Sequence, residues 1–228
     1  MKKVLAILAA GFFCLGAFAQ ESNILNDWSD DISLSDKEYV TQFTYLTAFY
    51  NYNLGPLEGQ SPHGFGFEVA TAFLGFDIWK DARLSLGLID FCFDLSSTLP
   101  GYAYASTDGK TVVPVNTQGL PIEMKEAEST SSNLAFHFPV AYTQKLGSSK
   151  WNLALLAAPG VGWDTYNNKY TLEYIEHDNN LTAKKNAYFR LNLSAYVRYS
   201  GFGLGVRYSF PKGFEGPGIL SAGITIGI

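Results

Sequence analysis

From Ala187 to Tyr199 the side chains change character at every step. Ala187, Phe189, Leu191, Leu193, Ala195, Val197 and Tyr199 share one parity, and Tyr188, Arg190, Asn192, Ser194, Tyr196 and Arg198 share the other. A period of two belongs to an extended strand with one apolar and one polar face. Ser200-Gly201 then supplies a tight turn, after which Phe202, Leu204, Val206, Tyr208 and Phe210 stand against Gly203, Gly205, Arg207 and Ser209. The last segment repeats the pattern, with Leu220, Ala222, Ile224, Ile226 and Ile228 opposed to Ser221, Gly223, Thr225 and Gly227.

The faces are unequal in an informative way. Bulk sits on the apolar face, while the other face carries glycine, serine and a few arginines and tyrosines. A soluble barrel or sandwich buries its apolar face and covers the outside with Lys and Glu, and these strands carry few such residues. The whole chain of 228 residues is 47% hydrophobic and 15% aromatic, too apolar for a disordered protein, and only 16% charged, low for a soluble domain. An inside-out barrel, apolar toward lipid and small or polar toward its axis, accounts for both faces. The acidic balance, with a pI of about 5.2, argues against nucleic acid as a partner.

Eight strands are expected, near 40–52, 64–78, 82–96, 132–146, 150–163, 187–199, 202–210 and 218–228. Alternation is clean in the later ones, whereas in 64–78 and 82–96 both parities hold apolar residues, though Ile89, Phe91 and Phe93 set against Asp90, Cys92 and Asp94 restore it, and the facing of the first strand is undetermined. The connections alternate: "DAR", "GSS" and "SGF" are short, while 53–63, 97–131, 164–186 and 211–217 are longer and rich in Gly, Pro, Asn, Ser and Thr. Short periplasmic turns and longer outer loops are the habit of outer-membrane barrels. Trp79 and Trp151 fall beside short turns and Trp163 where the fifth strand meets a long loop, as membrane-interface aromatics would. The separation from Trp151 to Trp163, at about 3.3 Å per residue and a tilt near 40°, spans roughly 30 Å.

The N-terminus gives an address. Lys2 and Lys3 precede an apolar run from Val4 to Ala19 ending in "GAFA", which matches a secretory signal cleaved near Ala19. Residues 1–19 are therefore read as signal peptide, 20–39 as an acidic periplasmic segment and 40–228 as the barrel domain. Phe13 before Cys14 disfavours lipidation. Cleavage leaves Cys92 without a disulfide partner, and His63, His137 and His177 are too widely spaced for a ligand motif, so neither metal nor cofactor is expected.

These features, with the final strand "LSAGITIGI" and the "LAFHFPVAY" and "LAAPGVGW" segments, resemble the small eight-stranded outer-membrane β-barrel family of Gram-negative bacteria, the porin-like OmpA/OmpX type. The resemblance covers most of the mature chain and rests on pattern. It implies an all-β, antiparallel up-and-down transmembrane barrel in the bacterial outer membrane. Its implied partners are outer-membrane lipid and, during insertion, the barrel-assembly machinery. Such barrels commonly end in an aromatic residue, and this chain ends in Ile228.

On this assignment the lumen holds Glu68, Asp90, Asp94, His137, Arg190, Arg198 and Arg207. Eight strands leave an interior just wide enough for side chains, so these charges are expected to form a polar plug of Arg–carboxylate pairs. Asp90 and His137 come to similar heights, but no serine is clearly beside them, so a lipid-modifying enzyme is the remote alternative and no catalytic residue is assigned. "GFGLG" lacks phosphate-loop spacing. Its glycines make room for large lumen side chains. Pro139 and Pro159 fall nearly opposite each other, which calls for a bulge or a weak seam. The tyrosine-bearing loops, with Tyr102, Tyr104 and Tyr166, are read as exposed segments able to meet a surface ligand or protein. A structural or surface-interaction barrel is the leading reading. A narrow channel for small solutes and a soluble lipocalin-like binding barrel stand as alternatives.

Overall fold

The structure is a computed structural model that describes residues 43–227 apart from 80, 106–107, 114, 116–117, 119, 121–123, 147–149, 173–174, 183–186 and 200. The expected signal peptide, the periplasmic segment and the start of the first strand lie outside the described residues, as does Ile228.

The strands are β1 (Phe43–Asn53), β2 (Gln60–Trp79), β3 (Ala82–Thr98), β4 (Ala103–Tyr104), β5 (Thr111–Val112), β6 (Met124–His137) and β7 (Val140–Lys145). They continue with β8 (Trp151–Leu172), β9 (Ile175–Thr182), β10 (Tyr188–Tyr199), β11 (Phe202–Ser209) and β12 (Ile219–Gly227). β6 and β7 are one strand interrupted at Phe138-Pro139. Counting them as one, eight antiparallel strands follow one another around a closed barrel, with β12 pairing β1 to complete the circle. β10 and β11 join through a two-residue turn, Tyr199 facing Phe202, and Gly201 supplies the positive φ of 88° that the turn needs.

The wall is turned inside out. Large apolar side chains form the outer surface, among them Phe65, Phe138, Phe189, Leu204, Val206 and Ile224, while Glu68, Asp90, Asn192, Arg207 and Thr225 are buried within. β1 directs Tyr45, Thr47, Phe49 and Asn51 inward and Tyr50 and Tyr52 outward. Its inward face thus carries two rings, which is why hydrophobicity alone did not orient it. Gly205 and Gly223 provide the room: a Cβ at Gly205 would meet the Tyr196 ring and one at Gly223 the Phe49 ring.

The mixed parity of β2 and β3 has a geometric cause. Their pairing shifts between Thr71 and Leu74, opposite Gly87 to Ile89. In β3 the inward residues are Asp94, Cys92 and Asp90 before the shift and Ser85 after it. In β2 the outward residues change from Phe65 and Phe67 to Phe76 and Ile78. A bulge moves the facing by one residue, so each strand changes parity there, and smaller shifts lie near the strand ends between Gln60 and Gly64 and between Asp77 and Trp79.

The prolines correct one expectation. Pro139 and Pro159 are offset by one, and β6 and β7 keep a single register with β8 on both sides of them, His137 facing Gly160 and Val140 facing Ala157. The bulge lies instead in β3, beside Pro139. Both proline carbonyls still accept, from Gly87 N (2.7 Å) and Phe138 N (2.8 Å), so each proline forfeits only its donor.

The long connections are more ordered than their composition suggests. β6 and β8 stay paired from His137 and Gly160 up to Met124 and Leu172, and β8 turns into β9 as a hairpin. Trp163 therefore stands within β8 and not at its end. At its level the β10 pairing stops, since Tyr188 faces Gly162. The segment 164–172 is polar on both faces, which hides a strand from a hydrophobic period.

Candidate functional site

Every expected lumen residue is on an inward position, and six of the seven are buried: Glu68, Asp90, Asp94, His137, Arg190 and Arg207. The six converge on the middle and upper part of the lumen. Arg198 stands apart, half-buried nearer the short turns, its guanidinium 4.0 Å from the Tyr45 ring centre, and Tyr45 in turn stacks on Tyr196 at 4.9 Å.

Arg207 is the hub. From β11 its Nη1 donates to Glu68 Oε2 (3.1 Å) on β2 and to Cys92 Sγ (2.7 Å) on β3. Its Nη2 donates to Asp94 Oδ1 (2.5 Å), and the guanidinium lies 4.5 Å from the Phe49 ring centre. Arg190 on β10 takes the other oxygen of Asp94 (Nη2 to Oδ2, 2.5 Å) and also donates to Ser209 Oγ (3.1 Å). Asn51 Nδ2 adds a third donor to Asp94 (2.9 Å), and Tyr196 OH donates to Glu68 Oε1 (2.5 Å). Asp94 and Glu68 thus have both oxygens satisfied by donors from across the barrel, the condition under which charges persist at low dielectric. Gly66 is required here, because a Cβ would collide with Asp94 Oδ1.

Asp90 and His137 are register partners on β3 and β6. Their Oδ2 and Nδ1 approach to 3.4 Å, yet neither carboxylate oxygen nor ring nitrogen has a hydrogen-bond partner. Gly160, opposite His137, leaves space for the imidazole. Cys92, two residues along β3, donates to Glu68 Oε2 at 3.3 Å and receives Asn192 Nδ2 at 3.5 Å. The sequence placed Cys92 on the inner parity without giving it a role; its neighbours come from β2, β10 and β11, which no local spacing reveals.

Above this network a vestibule of about 490 Å³ opens between the long connections, with Asn51, Asp94, Asn133, Asp164, Tyr188 and Arg190 in its wall. Asn133 Nδ2 bonds Asp164 Oδ1 (2.6 Å) and Tyr188 OH (2.7 Å). The β4–β5 hairpin folds over the β6–β8 extension. Asn168 clamps it through two bonds to the backbone of Tyr104 (2.9 and 2.8 Å), whose ring lies 4.7 Å from that of Tyr166. Both tyrosines are buried, which corrects their reading as exposed contact residues; Tyr102 is half-buried. Burial holds the phenols of Tyr104 and Tyr166 above the usual range, with nearby Asp164 adding to the rise at Tyr166.

The outward tryptophans mark two levels. Trp79 and Trp151 stand at the short-turn end, Trp151 against Tyr199 (5.2 Å), and Trp163 packs edge-on against Phe136 (5.9 Å) nearer the mouth. Fold and site together define a closed eight-stranded antiparallel barrel with an ionic interior and an apolar exterior. Comparison with family models, curated proteins and solved structures finds no match.

Proposed function

We propose that the chain is an outer-membrane β-barrel protein, exported with a cleaved signal peptide, whose filled lumen suits a structural or surface-interaction role. The observation that carries this reading is the inversion of polarity: a ring of Phe, Leu, Val and Ile faces outward around the barrel, and the buried interior is ionic. In water such an exterior is an aggregation hazard, whereas in a bilayer it is the required solvent-facing surface. Trp79 and Trp151 at one level and Trp163 at the other suit the two aromatic girdles. Outer-membrane lipid is then the permanent partner, the barrel-assembly machinery a transient one, and the mouth hairpins the surface offered to other molecules.

The test is heat-modifiability of the protein in a purified outer-membrane fraction. An unboiled band that runs faster and shifts on boiling is expected. Recovery of a soluble periplasmic protein without that shift would overturn the reading and favour a soluble binding barrel.

The polar vestibule favours one second reading, a narrow path for small solutes entering from the loop side. Single-channel recording in planar bilayers separates the two. The filled lumen predicts no conductance steps from the wild-type barrel, and reproducible steps would support the channel.

A further inference from the structure

Asp90 and His137 are not explained by the charge network around them, and Cys92, which is bonded into that network, lies beside both. Each of the three offers one ligand atom, and these atoms lie within 4.8 Å of one another in a fully buried cluster. Both oxygens of Asp90 and both nitrogens of His137 lack hydrogen-bond partners although the residues are 0% and 1% exposed. Buried polar atoms without partners are costly, so a cluster of them pointed at one another calls for an occupant. The 3.4 Å between His137 Nδ1 and Asp90 Oδ2 is long for a charge-assisted hydrogen bond. It matches the edge of a tetrahedron built from metal–ligand bonds of about 2.1 Å, roughly 3.4 Å.

Charge points the same way. Glu68 and Asp94 pair with Arg207 and Arg190, whereas Asp90 bridges neither guanidinium, so an ionised Asp90 is one negative charge over in this part of the lumen. Ionised Cys92 adds a second, and a divalent cation balances both. Arg207 Nη1, 2.7 Å from Cys92 Sγ, and Asn192 Nδ2 are placed to donate to the thiolate, as outer donors do around metal-bound sulfur.

We propose that Asp90, Cys92 and His137 form a binding site for a divalent transition-metal ion of the zinc class in the barrel lumen. Thiolate and imidazole select against calcium and magnesium, and the mixed sulfur, nitrogen and oxygen set suits zinc. Three protein ligands leave the fourth position of a tetrahedral ion to solvent or a small ligand. The vestibule, with Asp94 in its wall one inward position above Cys92, gives an approach from the loop side. The ligands come from β3 and from β6, 45 residues on in the chain at His137, so no contiguous ligand motif announces them. The site depends on the barrel interior and not on its location, so it goes beyond the functional reading above.

The full chain, with Cys14→Ser so that Cys92 is its one thiol, folded in detergent micelles and verified by heat-modifiability, is titrated with Zn²⁺ against a chelating indicator and separately with Co²⁺. One ion per chain is expected, with a sulfur-to-cobalt charge-transfer band. Cys92→Ser is expected to abolish the band, and His137→Gln and Asp90→Asn to weaken zinc binding at least tenfold in barrels that remain heat-modifiable. Absence of metal uptake by the folded Cys14→Ser chain overturns the proposal and leaves Asp90 and His137 sharing a proton instead. Uptake unchanged in all three variants also overturns it, placing the ion elsewhere, for example at His63. Should the variants fail to fold, the cobalt band of the Cys14→Ser chain decides: its presence supports thiolate ligation and its absence overturns it.

Discussion

Arg207 on β11 and Asp94 on β3 meet in a 2.5 Å ion-paired hydrogen bond across the barrel, although their strands are separated in the wall by β12, β1 and β2. The pair, with Glu68 and Arg190, ties opposite sides of the wall together through its interior.

Replacing Arg207 with Met leaves Glu68 and half of Asp94 buried without their cation. A loss of about 3–5 kcal/mol is expected, as for breaking other buried ion pairs, read from urea unfolding of the barrel in micelles. Adding Glu68→Gln to Arg207→Met should recover part of that loss, because the double variant removes the stranded Glu68 charge while Asp94 keeps Arg190. Additive losses would show that the two side chains do not act as a unit.

Leu204 is 67% exposed on the outer face of β11. If that face meets lipid, Leu204→Arg costs about 2–4 kcal/mol near the bilayer midplane, measured as folding free energy into vesicles. On a water-facing surface the same change stays within about 0.5 kcal/mol. The contrast separates a membrane barrel from a soluble one with a single substitution.

Gly87 lies where β3 bulges against Pro139, and a Cβ there would collide with the Pro139 ring and the Thr71 carbonyl oxygen. Gly87→Ala is expected to destabilise the barrel by about 1–3 kcal/mol through forced backbone displacement. Gly213→Ala, with open space around it but a φ of 70°, should cost about 1 kcal/mol from backbone strain alone. Equal melting temperatures for Gly87→Ala and wild type would mean that the bulge relaxes freely.

Asn168→Ala removes both side-chain bonds that hold the Tyr104 backbone. The β4–β5 hairpin should then open locally, seen as faster amide exchange and proteolysis in 99–113 with the barrel melting point unchanged. Alkaline pH should act on the same place. Folding holds the Tyr104 and Tyr166 phenols above their usual value near 10, chiefly by desolvation. Their contribution is therefore complete below pH 10 and declines above it, as the opened state gains ionised phenols first. Protection of the hairpin that stays constant from pH 8 to 11 would contradict this.

The alternation in β10, β11 and β12 determined the fold class, because a two-residue period with bulk on one side and glycine or serine on the other admits few closed solutions. It also put Arg190 and Arg207 on inward parity, as the alternation of Phe91 and Phe93 with Cys92 and Asp94 did within β3. What it did not contain was facing across a bulge: Asp90 and Ser85 point the same way only because the Gly87 to Ile89 irregularity shifts the pleat by one. Nor did it contain the β8–β9 extension, where Asn167, Asn168 and Lys169 offer no apolar face to count. The choice of partners belongs to tertiary structure alone. Arg207 finds Asp94 and Glu68 because barrel closure brings strands far apart in the chain around one narrow axis, and His137 comes beside Asp90 and Cys92 through the register of β6 on β3. A sequence read strand by strand specifies which side chains enter that space, and only the closed circle sets which of them touch.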